Sequence, residues 1–230
     1  MDIEKTYPDK SDFLRYVLWA LLAYTTAANR REYRMSTTWL PHLVTNSLSL
    51  LLPDAVRLIF PQGWRSRNIV EATLTKMVRD NRNYAVYAAP LALGYILSHP
   101  RFNIYKGDWA NLELAGFALD SIPHSATAFA LSALVGDTLR VMAHEEEFHG
   151  GLARLLRWGN HRRALVSLTV LALITFFWEY SEYRVHNYEL SQRGDAEHIN
   201  MQWSAEDTAK DVRSNLLGWA LAVLWQGRRG

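Results

Sequence analysis

Glu179 and Glu182 follow directly on fifteen uncharged residues, Ala164 to Trp178, in the run ALVSLTVLALITFFWEYSEYRVH. As a helix those fifteen rise about 22 Å, and two further turns bring the element to about 34 Å, enough to cross a bilayer core. The acids therefore belong inside a membrane span or at its rim, where an ionisable group is costly and is read first as functional. Two other stretches repeat the pattern. Asp120 and His124 are four apart; Glu179, Glu182 and His186 are three and seven apart; Asp207, Asp211 and Asn215 are four and eight apart. Each set occupies one face of a helix.

Three chemistries suit such stripes. Asp120, His124, Glu179, Glu182, Asp207 and Asp211 offer hard oxygen and imidazole ligands for a divalent metal: zinc, manganese, iron or magnesium. A metal held there would activate water against a lipid-linked phosphate or ester. Without a metal, Glu179, Glu182 and Asp211 are the candidate catalytic acids and bases, or the proton carriers of a transport site, with His186 and Asn215 lining the same pocket. In the third alternative the acids pair with Arg184, Lys210 or Arg213 and hold helices together.

Six apolar segments can position these groups: Phe13 to Asn29, Thr37 to Phe60, Asn83 to His99, Ala110 to Leu139, the Ala164 to His186 run, and Asp207 to Gln226. The fold expected is an all-α polytopic membrane bundle of about six transmembrane helices, with residues 1–230 as one integral membrane domain. Asp54 and Arg57 interrupt the end of the second segment. Pro123 is expected to kink the fourth and free backbone carbonyls beside Asp120 and His124. Residues 68–82 read as an interfacial or cytosolic helix, and Asn187 to Glu206 as a polar loop.

Lys and Arg number fifteen in the N-terminus, residues 57–82, residues 140–163 and the C-terminal tail, against seven in the opposite connections. That bias places both termini in the cytosol and the protein in the inner (plasma) membrane. In this orientation Asp120, Glu179, Glu182, Asp207 and Asp211 all fall in the outer half of the bilayer, as do His42, His99, His124, His186 and His198. Separate segments agree on one depth.

The runs LDSIPHSATAFALSAL, WEYSEY and EDTAKDVRSNLLGWALA resemble the three motifs of the YjdF-like inner-membrane family, itself similar to the VanZ-like proteins. The resemblance covers about residues 110–226. It puts the family's Asp and His on Asp120 and His124, its Glu pair on Glu179 and Glu182, and its closing motif on Asp207, Thr208 and Asp211, with Gly218 in the small-residue helix. Pro123, the long loop after His186 and the basic stretch containing HEEEFHGG depart from the pattern. The resemblance implies a cell-envelope membrane protein with a polar outer-leaflet site. VanZ-like members are associated with glycopeptide resistance.

Composition excludes much else. The chain has no cysteine, so thiolate metal sites, disulfides and thiol nucleophiles are ruled out. Net charge is +2, without a nucleic-acid footprint. No P-loop, Rossmann fingerprint, G-x-S-x-G or H-E-x-x-H occurs. HEEEFHGG reads as a solvated acidic turn. Arg65 to Arg67, Lys76 with Arg79 and Arg82, and His161 to Arg163 suit anionic lipid headgroups. MDIEKTYPDKSDF lacks the pattern of a cleavable signal. The partners expected are the bilayer, a lipid or glycan ligand, and a membrane-protein partner. A mean hydropathy of -0.14 favours the competing soluble all-α bundle. Two functions stay open: a membrane enzyme acting on a lipid or lipid-linked envelope substrate, and a non-enzymatic subunit, binding or transport protein.

Overall fold

A computed structural model describes residues 10–33, 38–105, 108–109, 112–114, 117–144, 149–193 and 203–228. Among the described residues the regular structure is helical apart from one hairpin of two-residue strands. Its elements are α1 (Lys10–Glu32), α2 (Trp39–Ile59), α3 (Ile69–Leu74) running into a π-helical turn (Thr75–Arg79), α4 (Ala85–Ile96), β1 (Glu113–Leu114), β2 (Phe117–Ala118), α5 (Ser121–Ala143), α6 (Gly151–His161), α7 (Arg163–Arg193) and α8 (Ala205–Gly227).

The six longer apolar helices alternate in direction. α1 and α2 are antiparallel, with Arg15 on Asp54 at 2.8 Å and Trp19 on Ser47 at 3.1 Å. α4 runs parallel to α1, joined at one end through the Ser11 hydroxyl to the Ala85 N–H and at the other through Asn29 to Ser98. α5 returns against α4, and the Tyr87 hydroxyl donates to Asp137 at 2.7 Å. α8 lies parallel to α5: Ser125 donates to the Ser214 carbonyl at one end and Gln226 to the Ala133 carbonyl at the other, both at 2.9 Å. α7 is antiparallel to α8, with the Trp219 indole on the Ala164 carbonyl at 3.1 Å. α5 is the central helix, packed against α4, α6, α7 and α8.

Small residues make the α5–α8 seam. A Cβ on Gly218 would collide with the Ser125 carbonyl and with Ala128, so the two backbones touch where Gly218 has no side chain. Ala128, Ser214 and Ala222 are buried on either side of it.

The interior of the N-terminal pair is charged. Arg15 is fully buried, and its guanidinium meets Asp12, Asp54 and the Leu50 carbonyl. Arg57 adds a contact to Asp12 at 3.0 Å. Two cations and two anions thus close a neutral network between α1 and α2. Asp54 and Arg57, which the sequence placed as interruptions of an apolar span, are members of it. Outside, the order is reversed: between residues 13 and 27 of α1, and along the whole of α2, no exposed residue carries a charge.

Several expected boundaries are corrected. The fourth apolar segment becomes helical only at Ser121, and part of residues 110–120 forms the β1–β2 hairpin. Pro123 consequently lies in the first turn of α5, where its missing N–H forfeits no bond. The expected kink and freed carbonyls do not arise. α4 has 12 residues, about 18 Å, short of a bilayer core. α7 continues through Asn187 to Arg193, so the start of the expected polar loop is helix. Residues 140–163 contain the well-defined α6. Glu145 to Phe148 of HEEEFHGG, His198 and most of the N-terminal segment lie outside the described residues. Two helices, Ser121–Ala143 and the Arg163–Gln192 part of α7, are long and apolar enough to cross a membrane, with mean hydropathies of 1.3 and 1.6.

Gly218→Val should force α5 and α8 apart at a backbone contact that cannot yield, costing about 1–3 kcal/mol in thermal unfolding of the purified protein. Asp12→Ala should leave Arg15 short of one buried partner and cost about 3–5 kcal/mol in the same measurement.

Candidate functional site

The start of α5, the second half of α7 and the start of α8 meet at one end of the bundle. Ser204 sets the start of α8: its hydroxyl accepts the Asp207 N–H at 3.1 Å, which satisfies a donor the first turn would otherwise leave open. Thr208 then reaches across to donate to Glu179 at 2.5 Å. One turn on, Asp211 is buried and stands 3.5 Å from His124 Nε2 on α5. One turn further, Asn215 donates to Thr175 at 3.1 Å. Three contacts on successive turns set α8 against its neighbours, and the first two involve acids of the predicted stripes.

Parts of the three stripes meet: His124 of the first stands near Asp211 of the third, and Glu179 of the second accepts from Thr208, one turn before Asp211. Asp120 stands at the N-cap of α5, one turn before His124, whose backbone N–H bonds the Asp120 carbonyl. The two contacts therefore join α5, α7 and α8, three segments far apart in sequence, at one end of the bundle. Among the described residues none of Arg184, Lys210 and Arg213 is bonded to a carboxylate of this centre. Lys210 pairs with Glu206 at 3.1 Å on the surface, and Arg184 donates to the Tyr180 hydroxyl at 3.3 Å. Of the two further pocket residues, Asn215 lies just below the centre. His186 lies beyond it and accepts the Trp203 backbone N–H at 3.3 Å.

Among the described residues no three His, Asp or Glu side chains stand close enough together to hold a metal ion. What the arrangement can do unaided is move protons. An imidazole beside a buried carboxyl, with a second carboxylate bonded one turn away, has the groups that proton transfer needs.

Two residues of the centre were not legible as such. Tyr105, in the connection after α4, bonds the Gly94 carbonyl at 2.9 Å and feels the charges of Asp120, Asp211 and Glu182. Nothing in its charged sequence neighbourhood marks it. Trp178, next to Glu179 in the chain, packs edge-on to His42, which itself stacks on Tyr95. That chain of rings links the acids to α2 and α4. His99, expected at the same depth, is buried between the rings of Tyr24 and Phe102.

Loss of water around the Tyr105 hydroxyl, with the nearby negative charges adding to it, holds its pKa well above the ordinary phenol value. The folded state therefore keeps this proton longer than the unfolded state. The resulting stability is complete below the unfolded pKa of about 10 and is lost as pH rises toward the folded value. In an absorbance titration of native protein to about pH 11, Tyr105→Phe should remove no ionising phenol, and the same variant should flatten the alkaline fall in melting temperature. A full tyrosine lost from the titration would refute the placement of Tyr105 among the acids.

No family model, curated protein or solved structure matches this chain.

Proposed function

We propose that the chain is a polytopic membrane protein of about six spans, with both termini cytosolic, whose carboxylate–histidine centre performs acid–base chemistry on a lipid or lipid-linked envelope substrate. The observation that carries the site is the approach of buried Asp211 to His124 at 3.5 Å, beside the Thr208–Glu179 bond, with no Lys or Arg bonded to these acids among the described residues. Acids with so little counter-charge are expensive to hold together and do little for stability. Kinship with the YjdF-like family is part of the proposal and rests on the three motifs alone.

The membrane reading draws on the exposure pattern. A soluble bundle hides apolar side chains and shows charges; α1 and α2 do the reverse. Their outward rows include Phe13, Val17, Leu21, Val44, Leu48 and Leu52, while Asp12 and Arg15 point inward. On α7, Leu165, Leu173, Phe176 and Phe177 are exposed, and on α8 so are Leu216, Leu217, Leu221 and Leu224. Inward charges also depress mean hydropathy, so α1 fails a composition test although its outer face is apolar.

In the proposed step His124, oriented by Asp211, takes a proton from water as it attacks an ester or phosphoryl group. A protonated carboxyl, assigned in this proposal to Glu182, gives a proton to the departing oxygen. Glu179 is held by Thr208 and fixes α7 against α8. A second reading, a non-enzymatic subunit or binding protein, is favoured by the Thr208–Glu179 and Asn215–Thr175 bonds, which join helices regardless of any substrate.

Reconstituted protein incubated with extracted envelope lipids should release phosphate or fatty acid. Asp211→Asn and Glu182→Gln should lower that release about 100-fold or more without loss of folded protein. If both variants instead lower only yield or assembly, the second reading replaces the first. Recovery of wild-type protein from a detergent-free supernatant would overturn both.

A further inference from the structure

α6 lies at the opposite end of the bundle from the acids, between the close of α5 and the opening of α7. It has three stripes. The inner stripe, Ala153 and Gly159, is buried against α5, with Gly159 beside Leu139. Leu155 and Trp158, three apart, face away from the protein and are 60 and 51 % exposed, and Leu152 in the first turn is 58 % exposed. Beside them runs a basic stripe of Arg154 and Arg157, both exposed. The apolar arc of this helix is wider than the part the protein covers. Arg162 extends the basic edge, its guanidinium 4.8 Å from the centre of the Trp158 ring. No acidic residue occurs from His149 to Arg163.

We infer that α6 is an in-plane helix that lies in the headgroup region of an anionic leaflet, with Leu152, Leu155 and Trp158 among the upper acyl chains and Arg154 and Arg157 on lipid phosphates. Charge complementarity selects the occupant. An exposed apolar ridge edged by arginines and free of acids matches the boundary between acyl chains and anionic headgroups. Long Arg stems can lie along that boundary with their charges in the phosphate layer. Among the described residues no acid pairs with Arg154 or Arg157, so a protein partner of mixed surface charge would have to supply their counter-charge. The inference rests on the membrane part of the proposed function and is independent of the carboxylate–histidine centre.

The chain has no native cysteine, so one introduced thiol is unique. Leu155→Cys in full-length protein, spin-labelled and reconstituted into vesicles of phosphatidylcholine with or without phosphatidylglycerol, reports depth through its relaxation by oxygen and by a water-soluble nickel chelate. Leu173→Cys on the exposed face of α7 serves as the control. The expected label at 155 is oxygen-accessible, about 5–10 Å below the phosphate level, and deeper in the anionic vesicles. Adding Arg154→Gln and Arg157→Gln should abolish that dependence on phosphatidylglycerol. A label at 155 exposed to the nickel chelate in both vesicle types overturns the inference, and so does one shielded from both reagents, which would place another protein copy on the ridge. If 173 is in lipid while 155 is in water, the in-plane role fails and the membrane reading stands. If 173 also is in water, both fail.

Discussion

The contact between α5 and α8 at Gly218 sets the register of the C-terminal half. With no side chain at 218 the two backbones touch, and the helices can run parallel only in the frame that places Ser125 on Ser214 and Gln226 on Ala133. One end of that frame brings His124 to Asp211. The other brings Gln226 and Tyr87 to the two oxygens of Asp137, a partly buried polar tie at the other end of α5. A slip of one turn would separate His124 from Asp211 and strand Asp137 together. The small residue in the seam therefore positions the site without belonging to it.

The two halves treat buried charge in opposite ways. Between α1 and α2 the charges cancel, and Asp12, Arg15, Asp54 and Arg57 pair with one another across two helices. Such a network can be neutral in stability while making any one missing partner costly, so it specifies how the pair packs. At the α5–α7–α8 end the charges do not cancel. The acids outnumber the bonded cations, and their neighbours are hydroxyls, amides and indoles: Thr208, Asn215, Tyr105 and Trp178. The first arrangement suits a scaffold and the second a site where protons move. Between them, the rings of Tyr95, His42 and Trp178 join the rigid N-terminal pair to the acid-rich end.

Six apolar helical segments and their order were legible in the sequence, because apolar length and a spacing of three to four report helix and face directly. Boundaries were less so. The start of α5 at Ser121 depends on the hairpin before it, and Pro123 is harmless only because it falls in a first turn. α6 was hidden in a basic stretch. Its amphipathic spacing is clear once the helix is known, but Gly150, Gly159 and the arginines resembled a loop.

Residue types and periodicity by themselves determined which faces carry acids, imidazoles and hydrocarbon, since a side chain's direction along a helix follows from its position in the chain. They could not determine which faces meet. That depended on Gly218 allowing two backbones to touch, on Arg15 finding Asp54 39 residues away, and on a connecting segment bringing Tyr105 beneath the acids. These are contacts between distant parts of the chain. Their energies depend on distance and burial, which only the folded arrangement supplies.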